Sequence, residues 1–161
     1  MQNKSALANE ILLRPYNSAS GDDTWINHWN QQKQIQEISD ENSLLNTSFD
    51  DEILEVNSMF MIEHKADVIG CVSCMYNSDR SSVTMGIMIG EPEKRNLGYG
   101  SIALGKAIGI LQHSQALRRL HAYVYHDNLP AIKMFEKFQF KSAGQVLFKR
   151  KITLHFILDI R

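Results

Sequence analysis

The chain has 161 residues and a formal net charge of -1, with 17 lysine and arginine residues against 18 aspartate and glutamate. One core of ordinary size fits that length, so a single domain over residues 1–161 is expected. The charge balance offers no footprint for nucleic acid or an anionic membrane, and no apolar run approaches a membrane span. Residues 1–9 lack the apolar centre of a secretory leader, which points to the cytoplasm.

After a frayed terminus, the apolar run 11–14 closed by Pro15 is expected to be a first strand. Asp22 and Asp23 then precede Trp25, Ile26 and Trp29 at helical spacing, the pattern of a helix start. A second helical or irregular segment is expected through Ile35, Ile38, Leu44 and Leu45. The region carries Asp22, Asp23, Glu37, Asp40, Glu41, Asp50, Asp51, Glu52 and Glu55 against the single basic residue Lys33. It is either an acidic wall that attracts a cation or a solvated helix face. Lysine and arginine gather later, at Lys94, Arg95, Lys106, Arg118, Arg119, Lys149, Arg150 and Lys151.

Three apolar runs follow, 58–62, 68–75 and 83–89, joined by polar links at 64–67 and 77–80 and expected to form antiparallel hairpins. The second run holds Cys71 and Cys74 in a C-x-x-C arrangement. Alternation along a strand sends the two thiols to opposite faces, and no second Cys/His pair stands at zinc spacing, so they are expected to be apolar strand cysteines. Residues 99–113 carry Ile102, Leu104, Ile108 and Leu111 at helical spacing. Gly105 and Gly109, four apart on that helix, are expected to allow close approach to the sheet. Run 120–125 must lie parallel to run 83–89, because a helical crossover joins them. Asn128 is expected to cap a helix with Pro130 in its first turn, and Ile152, Leu154, Phe156 and Leu158 alternate as a closing strand.

The chemistry concentrates at Arg95-Asn96-Leu97-Gly98-Tyr99-Gly100-Ser101, between an expected strand and the start of a helix. Orphan backbone N–H groups and the helix macrodipole make such a start an anion site, and glycine lets a phosphate approach the main chain. A Walker loop is excluded, because the Lys-Ser/Thr pair is absent. Gly98, Gly100 and Ala103 also satisfy the dinucleotide fingerprint G-x-G-x-x-A, although charged residues 91–96 intervene after the strand and a meander precedes it. A glycine turn that merely caps the helix is the plainest alternative.

Arg95-x-x-Gly98-x-Gly100 resembles motif A, Q/R-x-x-G-x-G/A, of the GNAT superfamily of acyl-CoA-dependent N-acyltransferases. The segment from Asn128 through Ala131, Phe135, Glu136 and Lys137 to Phe140 is similar to that family's N-x-x-A-x-x-x-Y-E-K-x-G-F block. Phe135 replaces the usual tyrosine and Gln139 the usual glycine. The resemblance covers residues 83–140. It implies an α+β fold with a mixed central sheet, an antiparallel N-terminal meander, a splayed parallel strand pair and flanking helices, two of which wall an acceptor site.

The resemblance further implies acetyl-CoA as co-substrate, no metal, and direct attack in a ternary complex by a primary amine of a small molecule or peptide. It admits a homodimer. The main chain of Ile87, Met88 and Ile89 would pair with pantetheine and polarise the thioester carbonyl. Arg95, Asn96, Leu97, Gly98, Tyr99, Gly100 and Ser101 would hold the pyrophosphate, with Asn128 and Phe135 completing the cofactor-binding set. Glu91 is the first candidate for general base, directly or through water. Phenylalanine cannot protonate a thiolate, so the acid falls to Tyr125, with Tyr123 and His126 nearby, or is dispensed with. Phe135 also keeps open a non-catalytic acyl-CoA-binding or regulatory module.

Overall fold

The computed structural model describes residues 3–32, 46–49 and 52–161, the backbone alone at 46–49 and 52–57. Helix α1 (Lys4–Glu10) leads into β1 (Ile11–Pro15), a short 3-10 turn (Ser18–Ser20) and α2 (Asp22–Asn30). Strands β2 (Asn46–Phe49), β3 (Glu52–His64), β4 (Asp67–Tyr76) and β5 (Ser82–Ile89) follow. After a second 3-10 turn (Pro92–Lys94) come α3 (Tyr99–Leu111), β6 (Arg119–Tyr125), α4 (Leu129–Lys137), β7 (Lys141–Phe148) and β8 (Lys151–Asp159).

Where the N-terminus was expected to fray, Asn3 caps α1 by accepting a hydrogen bond from the Ser5 N–H, and Leu7 packs against the core. The segment through Ile35, Ile38, Leu44 and Leu45 lies outside the described residues. Strands β2 and β7 are additions to the sequence expectation. β7 is mostly exposed, so no alternating apolar pattern marks it.

The strands form one sheet in the order β1-β3-β4-β5-β6-β8-β7, with β2 also beside β3. The β3–β4 and β4–β5 pairs are antiparallel, as their short polar links require. β5 and β6 run parallel, as the α3 crossover requires. The fold is α+β with a mixed sheet.

Alternation along the strands builds two faces. Val72, Cys74, Val83, Met85, Leu120, Ala122 and Phe156 pack with Ala103, Leu104 and Ala107 of α3 and Phe135 of α4 in the main core. Met61 and Cys71, on the opposite face, pack with Ile26 and Trp29 of α2. The two cysteines therefore face opposite ways, and burial pushes each thiol up to about 12, so neither is a thiolate near neutral pH. The glycines of α3 correct the sequence expectation. A Cβ at Gly105 would meet the Phe138 ring at 3.1 Å, just past α4, and one at Gly109 would meet nothing within 4 Å. Neither glycine brings the helix close to the sheet.

Candidate active site

The parallel pair is short. β5 and β6 are in register only at Ser82 with Arg119, Val83 with Leu120 and Thr84 with His121. Beyond that vertex β5 stays paired with β4 as far as Ile89, and β6 stays paired with β8 as far as Tyr125. The strands diverge while each keeps its outer partner. A V-shaped opening results, with Ile87, Met88 and Ile89 on its β5 arm.

The loop expected to bind phosphate closes over this arm. Asn96 and Gly98 both take positive φ, 59° and 89°, and Gly98 is the N-cap of α3. Glycine suits that left-handed cap, where a β-branched side chain would be strained. The first helical bond runs from the Ile102 N–H to the Gly98 carbonyl at 3.2 Å. The N–H groups of Tyr99, Gly100 and Ser101 therefore have no acceptor within the helix. A Cβ at Gly100 would stand 3.7 Å from both Ile89 and Met134, so β5, the loop and α4 converge there.

Arg95 turns inward. Its Nε donates to the Ile89 carbonyl at 2.9 Å, and its Nη2 donates to the Gly90 carbonyl at 3.0 Å and to Gln32 Oε1 at 3.1 Å. The guanidinium thus ties the end of β5 to the residues following α2. The Tyr99 ring lies 4.7 Å from the ring of buried His64, which shares a hydrogen bond of 3.1 Å with Glu10.

Glu91 follows the end of β5, and its Oε1 accepts a hydrogen bond from Trp29 Nε1 at 2.9 Å. The Trp29 side chain is fully buried and lies flat on Gly90, where an added Cβ would come within 2.1 Å of the ring. Glycine at position 90 is what admits this tryptophan.

On the other arm, Leu120, Ala122 and Val124 enter the main core, so His121, Tyr123 and Tyr125 point to the opposite face. His121 Nδ1 and His155 Nε2 are 2.8 Å apart, and the Tyr123 ring stacks on His155 at 4.5 Å. Burial lowers the His121 pKa to about 4, with the neighbouring His155 and Arg119 acting the same way and Asp159 opposing. Tyr125 is buried at the end of β6 with the Lys151 ammonium 4.9 Å from its ring centre. His126 is exposed and held against the Ile152 carbonyl.

Asn128 caps α4 by accepting from the Ala131 N–H at 3.3 Å. Phe135 is 3% exposed, and its ring packs 5.1 Å from Phe140 and 6.5 Å from Phe156. The acidic N-terminal region divides. Asp22 is buried against Arg14, and Asp23 accepts from the Tyr16 hydroxyl. Glu37, Asp40, Glu41, Asp50 and Asp51 lie outside the described residues, as do the side chains of Glu52 and Glu55. Among the described residues no group of three or more His, Cys, Asp or Glu side chains is placed to hold a metal.

Residues 10–141 match the acetyltransferase (GNAT) domain family. The chain belongs to that family. Its fold is shared with the spermidine N-acetyltransferase from Vibrio cholerae solved with CoA and spermine, at a TM-score of 0.76 and 18% identity over 94% of this chain and 96% of that one. Aminoglycoside acetyltransferase AAC(6')-Ib, solved with coenzyme A and kanamycin, matches at a TM-score of 0.72 and 13% identity over 92% of this chain and 94% of that one. No curated protein gives a significant match to the sequence.

For a GNAT acetyltransferase, the motif residues fall into two groups. The structure brings Ile87, Met88, Ile89 and the 96–101 loop together around one arm of the opening. The rings of Phe135 and Tyr99 and the guanidinium of Arg95 are engaged within the protein instead. Sequence reasoning missed Trp29, Gln32 and the His121–His155 pair. Gly90, directly after an apolar run and before Glu91, was the available signal that a bulky group crosses the end of β5.

Proposed function

We propose that the protein transfers the acetyl group of acetyl-CoA to a primary amine of a small molecule or peptide, by direct attack in a ternary complex. The observation that carries this reading is the opening between β5 and β6, where β5 has no β6 partner beyond Thr84, beside a helix start with three orphan N–H groups. A pantetheine arm would pair along β5 as an added strand does, and its pyrophosphate would rest on the 96–101 loop. Solved structures of the same fold that contain coenzyme A support it.

Glu91 is assigned as general base, acting directly or through water, and Tyr125 as the group that protonates the leaving thiolate. Arg95 shapes the loop by holding the carbonyls of Ile89 and Gly90. A cytoplasmic protein acting without metal or nucleic acid completes the reading. Among the described residues no helix is long and apolar enough to cross a membrane.

The packing of Phe135 into the core favours a second reading, a module that binds acyl-CoA without turning it over. One experiment separates the two. Release of CoA thiol from acetyl-CoA is followed with a panel of amines, spermidine and kanamycin included, while melting shifts are recorded with acetyl-CoA and with NAD(P). Amine-dependent thiol release is expected. A melting shift with acetyl-CoA but no thiol release with any amine would replace the enzyme with the binding module, and a shift with NAD(P) alone would overturn both.

A further inference from the structure

Glu91 is held in a way that the family motif does not specify. Its side chain has three torsions and stands on the segment leaving β5, where a carboxylate would ordinarily sample several rotamers. Here the main chain and the side chain are both fixed. The Gly90 N–H donates to the Ile69 carbonyl at 2.8 Å, and Arg95 takes the carbonyls of Ile89 and Gly90. With those carbonyls engaged, the indole of Trp29 meets the Glu91 carboxylate instead, at 2.9 Å.

That contact is more than packing. The Trp29 side chain is fully buried, and a buried indole N–H needs an acceptor. If Glu91 swung away, the donor would be left desolvated and unpaired, so the bond holds the carboxylate in place. One oxygen is anchored in this way. Among the described residues Glu91 Oε2 takes no hydrogen bond, which leaves one oxygen for a proton. Trp29 stands in the last turn of α2, on the sheet face opposite α3, and Gln32 just beyond it is tied to Arg95.

We propose that Trp29 is a positioning residue for the acyl transfer, its indole N–H fixing Glu91 so that Oε2 is presented to the acceptor amine. The proposal rests on the reading of Glu91 as general base. A base must stand within about 3 Å of the proton it takes, so an unanchored carboxylate is correctly placed for only part of the time.

The test uses the amine with the fastest turnover in the panel. Glu91→Gln examines the underlying reading and is expected to lower kcat about a hundredfold at neutral pH, with the KM for acetyl-CoA unchanged. Trp29→Phe is expected to lower kcat about tenfold with the same unchanged KM. Both losses should shrink as the pH approaches the amine's own pKa, where free base is available without help. The double variant should be no slower than Glu91→Gln, because the two residues act through one proton transfer.

Ring loss is controlled by placing β-(3-benzothienyl)alanine at position 29 in a Trp25→Phe background, which keeps the bicyclic shape and removes the N–H. The same kcat loss supports the proposal. Full activity from an enzyme lacking that N–H, alongside a slow Glu91→Gln, overturns it and makes Trp29 a packing residue. A Trp29→Phe loss that is equal at every pH and adds to that of Glu91→Gln overturns it as well. A fully active Glu91→Gln, or no turnover of any amine, removes the reading on which it stands.

Discussion

Asp22→Asn is expected to destabilise the protein strongly, although position 22 lies outside the V-shaped opening. The carboxylate is 1% exposed and takes two hydrogen bonds from the Arg14 guanidinium, at 2.7 and 2.8 Å, and one from the Asn17 N–H at 2.8 Å. Arg14 also donates to Glu63 at 2.6 Å, so one guanidinium joins β1, α2 and β3. Removing one partner of a buried ion pair costs about 3–5 kcal/mol. Arg14 is 31% exposed and keeps Glu63, which places the loss near the lower end, about 3 kcal/mol. For a chain of this length that corresponds to about 6–12 °C in melting temperature. The pH dependence identifies the cause. Hydrogen bonds from Arg14 hold the Asp22 carboxyl below the usual carboxylate range, burial opposes them, and the Asn17 N–H assists. The folded pKa lies below the unfolded one, so the stabilisation is complete above about pH 4 and is lost as pH falls through the folded pKa. Urea unfolding of both proteins from pH 3 to 8 should show a constant gap above pH 5 that closes in acid. A gap of the same size at pH 3, or one under about 1 kcal/mol at pH 7, would refute the assignment.

Gly98→Val forces a β-branched residue to a φ of 89°, which should cost about 1–3 kcal/mol and abolish acetyl-CoA binding. Unchanged affinity by calorimetry in a folded variant would reject the phosphate-loop assignment. Phe135→Tyr should lower stability by about 1–3 kcal/mol, because the new hydroxyl enters a ring cluster with Phe140 and Phe156, and should bring no gain in turnover. A faster enzyme of unchanged melting temperature would show that the ring turns toward the opening. His121 should stay neutral from pH 5 to 8, since burial, His155 and Arg119 depress its pKa to about 4 against the pull of Asp159. The unfolded chain then takes the proton first, and stability falls as pH drops from about 6.5 toward 4. Imidazole NMR reads this directly, and a His121 midpoint near 6.5 would contradict it.

The central strands, the crossover and both caps were legible because each rests on local chemistry. Short polar links leave β3, β4 and β5 no pairing but antiparallel hairpins, and a helix between β5 and β6 requires a parallel pair. Gly98 and Asn128 mark helix starts by turn geometry and side-chain capping. The exposed edge strand β7 was not legible, since a strand with little buried surface carries no period-2 apolar signal. Nor was the direction of Arg95. Its motif position is evident, but its guanidinium follows carbonyls at Ile89 and Gly90 that are left free only because β5 ends there. Trp29 read as an apolar helix position, and it is one. Its bond to Glu91 depends on how α2 packs across the sheet, a long-range fact with no local trace. The α3 glycines misled because spacing places them on one side of a helix without saying what faces that side.

The two arms of the opening explain why the donor half of the proposed reaction was readable and the acceptor half was not. On the β5 arm recognition would be carried by main chain: strand groups left without a β6 partner beyond Thr84 and orphan N–H groups at 99–101. Such groups must find partners, and a strand edge fixed on its other side by β4 is already ordered, so little conformational entropy is lost when an amide-bearing arm pairs with it. Main-chain recognition leaves its mark in sequence as glycines and a helix start, which is what the motif contains. The face opposite α3 would work through side chains brought from distant segments: Trp29 from α2, Tyr123 from β6 and His155 from β8. The stack of Tyr123 on His155 and the anchored Glu91 each require residues more than 30 positions apart. If the acceptor amine is bound on this face, as the proposed reaction would have it, selection among amines would be set by tertiary packing, and substitutions at Tyr123 or His155 should change which amine is acetylated while leaving the affinity for acetyl-CoA nearly intact.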